Sequence, residues 1–277
     1  QFTRSAEKTR LGDGSKIAMT ILQVKDLHKS FGASTHVLRG INLKVEQGEF
    51  LGVIGLSGAG KSTLLRCINR LIEPTSGEIL FPQAIFDSQA DGSWRDVLRL
   101  GRHELRLLRR KVGMIFQQFN IVKRLSVIEN VLAGGLGYQP PLRSCLRLFS
   151  LEERRRALMN LDRVGLLDHA YKRADELSGG EQQRVAIART LMQNPAVILA
   201  DEPVSNLDPR LSRLILDILK RICLEDGITA LVSLHTLDLT REYADRIVGL
   251  RKGQIFFDGQ AKDLTDAVVE QIYHGAE

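Results

Sequence analysis

With 277 residues, a formal net charge of +6, 43% hydrophobic and 26% charged residues, the chain has an ordinary globular composition and can bury a sizeable core in one or two domains. No apolar run approaches the ~20 residues of a membrane span, and three scattered cysteines (Cys67, Cys145, Cys223) suit reduced thiols, with neither a disulfide framework nor metal-ligand spacing. The mild basic excess reads as a solvated surface and does not ask for a nucleic-acid partner.

Residues 1–20 are polar, lack periodicity and lack the apolar core of a secretory signal, so they read as an N-terminal extension, partly disordered. From Ile21 the chain alternates as a strand, with Leu22, Val24 and Leu27 apolar, and Ile41 to Val45 does the same after the turn near Gly40. These two segments predict an antiparallel layer. Phe50 to Ile54 reads as a buried strand, and Lys61 to Arg70 as the helix after the next loop, with Pro74 and Gly77 marking its exit. Residues 87–102, with Trp94, form a long loop that reads as a solvated insertion. Residues 102–111 put Leu105, Leu108 and Val112 on one helical face, and Met114 to Phe116 is a short strand. Residues 126–133 and 151–170 have helical spacing, separated by a loop at Pro140-Pro141. A C-terminal helical tail occupies 261–277. The chain carries no second copy of the loop pattern described next, and no other internal repeat.

Gly55-Leu-Ser57-Gly58-Ala59-Gly60-Lys61-Ser62-Thr63 fits the phosphate-loop pattern G-x-x-x-x-G-K-[ST], flanked by a strand and a helix as that pattern requires. Glycines let successive N–H groups point at phosphate oxygens, and the helix N-terminus adds partial positive charge. Lys61 brings a point charge to the β- and γ-phosphates of a nucleoside triphosphate, while the Ser62 hydroxyl can ligate Mg2+. Val197 to Ala200 is a second buried strand, expected parallel, with Asp201 and Glu202 at its C-terminal end, where ligands collect in such folds. Asp201 suits Mg2+ and Glu202 suits an attacking water. Ser178-Gly179-Gly180-Glu181 opens another helix with exposed amides, a second phosphate cradle without a lysine. One nucleotide needs only one cradle, so the second should serve another nucleotide. Arg184 and Arg189, on the helix that follows, read as a solvated face.

Taken together these residues resemble an ATP-binding cassette (ABC) ATPase over nearly all of 21–260. Leu177 to Gln182 is similar to the signature motif, Ser205 to Asp208 to the D-loop, and His235 to the switch histidine. Gln117 and Gln118 are not separated by the residues alone; the resemblance selects Gln117 as the Q-loop glutamine. Phe31 stands where the family places an adenine-stacking aromatic, although such a residue alone is more often core, as His235 alone is more often an ordinary surface or core histidine. The resemblance implies an α/β fold: a P-loop NTPase (RecA-like) core with an antiparallel β subdomain and an inserted α-helical subdomain at about 118–185. It also implies ATP and Mg2+ as cofactors, and a head-to-tail dimer in which Ser178, Gly179, Gly180, Glu181 and Asp208 complete the partner copy's site. Gln117 would contact Mg2+ or the lytic water, and His235 would hold the γ-phosphate and link it to Glu202.

Gly137-Tyr138-Gln139-Pro140, the Phe149-Ser150 helix start, Tyr171 to Asp175, Leu234 to Asp238 and Arg241 to Ile247 are similar to phosphonate and phosphite importer ATPases. That narrower resemblance implies a peripheral subunit on the cytoplasmic face of a bacterial inner membrane, beneath permease subunits fed by a substrate-binding protein. The alternative is a soluble ABC-type assembly ATPase associated with phosphonate-degrading enzymes. The chain departs from the family pattern at Asn206, where alanine or serine is usual in the D-loop, which bears on hydrolysis rate more than on ATP binding. Val204 precedes it.

Overall fold

Apolar alternation in the first thirty residues described, and unbroken apolar runs later, sort the strands into two sheets of different character. The computed structural model describes residues 19–32, 34–87, 92–140, 143 and 148–274. Most of the expected N-terminal extension, Cys145, Pro141 and residues 275–277 lie outside the described residues.

Strands β1 (Thr20–Phe31), β2 (Thr35–Glu46), β4 (Ser76–Pro82) and β5 (Trp94–Asp96) form an antiparallel sheet in the order β2-β1-β4-β5. Trp94 therefore belongs to a short edge strand paired with Leu80 to Pro82, and Val97 and Leu100 beyond it are buried. The described end of the 87–102 segment is structure rather than a solvated loop, because its apolar side chains complete the layer. Residues 88–91 lie outside the described residues.

The second sheet runs β10 (Gln254–Gly259), β9 (Arg246–Arg251), β3 (Phe50–Ile54), β8 (Thr229–Ser233), β7 (Val197–Ala200), β6 (Val112–Ile115). Its last five strands are parallel and β10 is antiparallel at the edge. Both faces are covered. Leu199, Leu231 and Val53 point into one apolar cluster with β1 and β2, whereas Ile198, Ala230 and Val232 point into another built with the helices. That double burial is why these strands read as continuous apolar runs.

Helix α1 (Lys61–Ile68) follows β3, and α2 (Arg102–Lys111) precedes β6. Val112 pairs with Val197 and so begins β6, which ends at Ile115, two residues earlier and one shorter at its end than the Met114–Phe116 strand expected. The helices α3 (Val127–Ala133), α4 (Leu151–Arg163) and α5 (Gly179–Leu191) pack on one another beside the core. Each opens with the same device: Ser126, Ser150 or Ser178 accepts the N–H of Glu129, Glu153 or Glu181, whose carboxylate answers the serine's own N–H. The helix expected to run 151–170 stops at Arg163, because Gly165 turns with φ 68° and a 3-10 turn follows at Leu167–His169. Helices α6 (Pro209–Asp226), α7 (Leu237–Tyr243) and α8 (Asp266–His274) complete the described chain, with Leu264 and Ile272 packed onto Ile54 and Ile247.

Candidate nucleotide site

Four adjacent parallel strands, β3, β8, β7 and β6, end on the same side of the sheet, and each hands over to a segment bearing polar side chains. Gly55 to Gly60 follows β3, Asp201-Glu202 follows β7, His235 lies just beyond β8, and Gln117 just beyond β6. Sheet topology thus gathers residues that are up to 180 positions apart in sequence.

The phosphate loop cannot be built from other residues. Gly55 has φ 144°, and a Cβ there would lie 2.3 Å from the Leu250 carbonyl oxygen; Gly60 has φ 105° as the N-cap of α1. Lys61 is buried and donates from Nζ to the carbonyls of Gly55 at 2.8 Å and Leu56 at 3.1 Å. Burial pulls its amine below the usual lysine range, against the raising influence of Glu202 and Asp201.

Ser57, Gly58, Gly60, Lys61, Ser62, Thr63, Gln117, Glu202 and His235 line one cavity of about 480 Å³, with Val37 as a further wall. Val37 was not legible as a site residue; it arrives from β2 of the other sheet. Gly55 and the buried Ala59 shape the loop from behind. Phe31 is not in that lining. It stands 47% exposed at the end of β1, with the Lys29 ammonium 4.7 Å from its ring centre. The exposed ring can stack on a planar ligand through a face that the Lys29 ammonium does not cover.

Glu202 is held in an unusual backbone conformation, φ 51°, and its N–H donates to the Ser233 hydroxyl at 2.8 Å. Its Oε1 lies 2.5 Å from His235 Nε2. Asp201 is buried beside it, within 3.4 Å of the Ser233 hydroxyl and 3.0 Å of Arg66 Nη2. The glutamate at the cavity wall and the aspartate behind it therefore occupy different environments, although they are neighbours in sequence.

Ser178, Gly179, Gly180 and Glu181 do not line the cavity. They form the N-terminus of α5, with Gly179 facing Phe119 and Leu207, and Gly180 against Leu211. The Ser178 hydroxyl donates to Glu181 at 2.7 Å, and these bonds hold the Glu181 carboxyl below its usual range. Asp208 caps α6 by accepting from Arg210 N and Leu211 N, and Asn206 just before it is exposed with φ 71°. That left-handed turn suits asparagine better than alanine or serine.

Arg184 and Arg189 are not a solvated face. Arg184 donates to the carbonyls of Val164 and Gly165, and Arg189 reaches Phe119 O at 3.0 Å and Asn120 O at 2.5 Å. Arg189 thereby ties α5 to the segment carrying Gln117. Long-range carbonyl partners of this kind leave no local sequence signal. Cys67 and Cys223 are free and buried, each thiol pushed up to about 12 by burial.

Residues 38–205 match the family model described as ABC transporter. The chain belongs to that family. Among curated relatives of this ABC protein, the phosphonates import ATP-binding protein PhnC 2 of Oceanobacillus iheyensis is 49% identical over 255 residues, covering 92% of this chain and 96% of the relative. The phosphonates import ATP-binding protein PhnC of Shouchella clausii is 50% identical, covering 91% of each. Among solved structures, the ADP conformation of MJ1267, an ATP-binding cassette of an ABC transporter, matches with TM-score 0.76 and 29% identity over 91% of this chain and 98% of that one. A dimeric post-hydrolysis state of the cassette MJ0796 bound to ADP and Pi matches with TM-score 0.73 and 34% identity, over 87% of this chain and 99% of that one. The ABC fold, a P-loop core with an antiparallel sheet, is the fold described above, and ATP is the nucleotide its site binds. No helix among the described residues is long and apolar enough to cross a membrane.

Proposed function

We propose that the chain is the ATP-hydrolysing subunit that energises a bacterial phosphonate or phosphite importer. The observation that carries this is the single cavity shared by Lys61, Ser62, Gln117, Glu202 and His235. Relatives of about half-identical sequence bear the name phosphonates import ATP-binding protein, which supports the transported class.

The residues take distinct parts. Backbone N–H groups of Gly55 to Gly60 cradle the phosphates, Lys61 leaves the loop carbonyls for the β- and γ-phosphates, and Phe31 stacks on adenine. Glu202 polarises the attacking water, and His235 holds the γ-phosphate while fixing the Glu202 carboxylate through Nε2. The Ser62 hydroxyl, the Gln117 amide oxygen and the buried Asp201 carboxylate behind the cavity would supply an all-oxygen donor set, the chemistry that suits Mg2+. When bound, Mg2+ neutralises phosphate charge.

The Ser178–Glu181 cradle and Asp208 lie outside the lining of this cavity, which supports a head-to-tail pair of copies, each completing the other's site. Phosphate charge then holds the two copies together, and its loss on hydrolysis loosens them. In this reading the pair sits peripherally at the cytoplasmic face of the inner membrane. Permease subunits supply the span that the described helices lack, and a substrate-binding protein delivers the cargo.

The test is purification of the tagged chain from membranes in its native host, with mass spectrometry of what remains bound. A polytopic permease is the expected partner. Recovery of soluble enzymes alone would keep the ATPase chemistry and overturn the import reading.

A further inference from the structure

The Asp201 side chain is 2% exposed, and among the described residues its one ion-pair partner is Arg66, whose Nη2 lies 3.0 Å from Oδ2. Lys61, although it belongs to the phosphate loop, directs its ammonium to the Gly55 and Leu56 carbonyls instead. Arg66 follows Ser62 by four residues on α1, so the two share a helix face. The guanidinium thus sits one turn beyond the hydroxyl assigned to the cation and on the very carboxylate assigned to it. It is also loosely committed. Its Nε is buried with no hydrogen-bond partner, and the side chain as a whole is 40% exposed.

We propose that Arg66 is the resident counter-ion of Asp201 in the nucleotide-free chain, and that it gives up the carboxylate when a divalent cation enters with ATP. The inference rests on Asp201 as a cation ligand. An ionised carboxylate this deeply buried needs a positive partner at all times. A guanidinium and a divalent ion on one carboxylate repel each other. The half-exposed arginine has a way out to solvent, and the buried aspartate does not. Arg66 is therefore a positioning residue: it keeps the empty site neutral, and it competes with the cation, setting how much Mg2+ the site requires.

The experiment uses the full chain and reads binding rather than turnover. A fluorescent ATP analogue is titrated with Mg2+ against wild type, Arg66→Gln, Arg66→Lys and Asp201→Asn, and again in EDTA. In Arg66→Gln the ratio of nucleotide affinity with Mg2+ to that without should rise about three- to tenfold, the size of one half-exposed charged hydrogen bond. Arg66→Lys, which keeps charge but not the planar fork, should fall between. Ligand-free Arg66→Gln should also melt lower than wild type and recover more on adding Mg2+ and ATP. If Arg66→Gln proves insoluble, Arg66→Lys carries the same comparison. An unchanged or reduced ratio in the Arg66 variants, with Asp201→Asn still losing the Mg2+ effect, overturns the counter-ion role and leaves Asp201 as a ligand. If Asp201→Asn keeps the full Mg2+ effect, the ligand assignment fails first and the counter-ion proposal with it.

Discussion

Ser233→Ala probes how the proposed catalytic glutamate is held. Glu202 lies at φ 51°, a region that costs a residue with a Cβ about 1 kcal/mol or more, and its N–H is accepted by Ser233 Oγ at 2.8 Å. Ser233 is fully buried, so its hydroxyl is fixed in place by the surrounding packing. Removing the hydroxyl leaves the part-buried Glu202 N–H without its acceptor, worth about 1 kcal/mol of stability. It also releases the constraint that presents the Glu202 carboxylate to His235, and a displacement of about 1 Å at a reacting group can cost about a hundredfold in rate. Urea unfolding should show that stability loss, and steady-state ATP hydrolysis should show kcat down by about ten- to a hundredfold. Nucleotide affinity measured without Mg2+ should move less than about threefold, because Ser233 is not among the residues lining the cavity. A variant with kcat within about twofold of wild type and undiminished stability would refute the idea that this bond holds Glu202 in place.

Glu202→Gln should keep nucleotide binding while losing about a hundredfold or more of turnover, seen as an ATP-bound dimer on size-exclusion chromatography; rapid hydrolysis would remove Glu202 from the base role. Lys61→Ala should weaken ATP binding by about tenfold or more in equilibrium titration, whereas retained affinity would sink the phosphate-loop assignment. Arg189→Ala should cost about 1–3 kcal/mol in urea unfolding, with Arg189→Lys recovering only part, since one ammonium does not reproduce the planar fork on Phe119 O and Asn120 O. Glu181→Ala should lower stability by about 1 kcal/mol at neutral pH. Because the Glu181 carboxyl is held below its ordinary 4.5, that deficit is full above this value and closes as acid protonates the native carboxylate, which melting curves across pH would track.

The sequence carried its clearest information where local geometry and chemistry coincide. Gly55 and Gly60 are needed by the turn itself, and the apolar run Val197 to Ala200 is needed by a strand covered on both faces, so both were legible. Helix ends were less so: Gly165 gives no sign, within an apolar stretch, that it will take φ 68° and stop α4. Val112 fits a helical face and a strand equally well, and only its pairing with Val197 decides. Contacts across the sheet layers were not legible at all. Val37 reaches the cavity from β2, and Arg66 meets Asp201 across 135 positions, with no periodicity to announce either.

The placement of β3 in the middle of the large sheet also has a consequence for how the protein is made. Its two neighbours are β8 and β9, which end at residues 233 and 251, whereas β3 itself is complete at residue 54. On the ribosome the phosphate-loop strand therefore emerges well before either neighbour and waits, both edges unpaired, until residues 229–251 follow. Pairings this distant close slowly, and an apolar strand with open edges is the segment most exposed to misassembly in the meantime. ATP-binding competence, for this chain, therefore cannot precede the synthesis of residue 251.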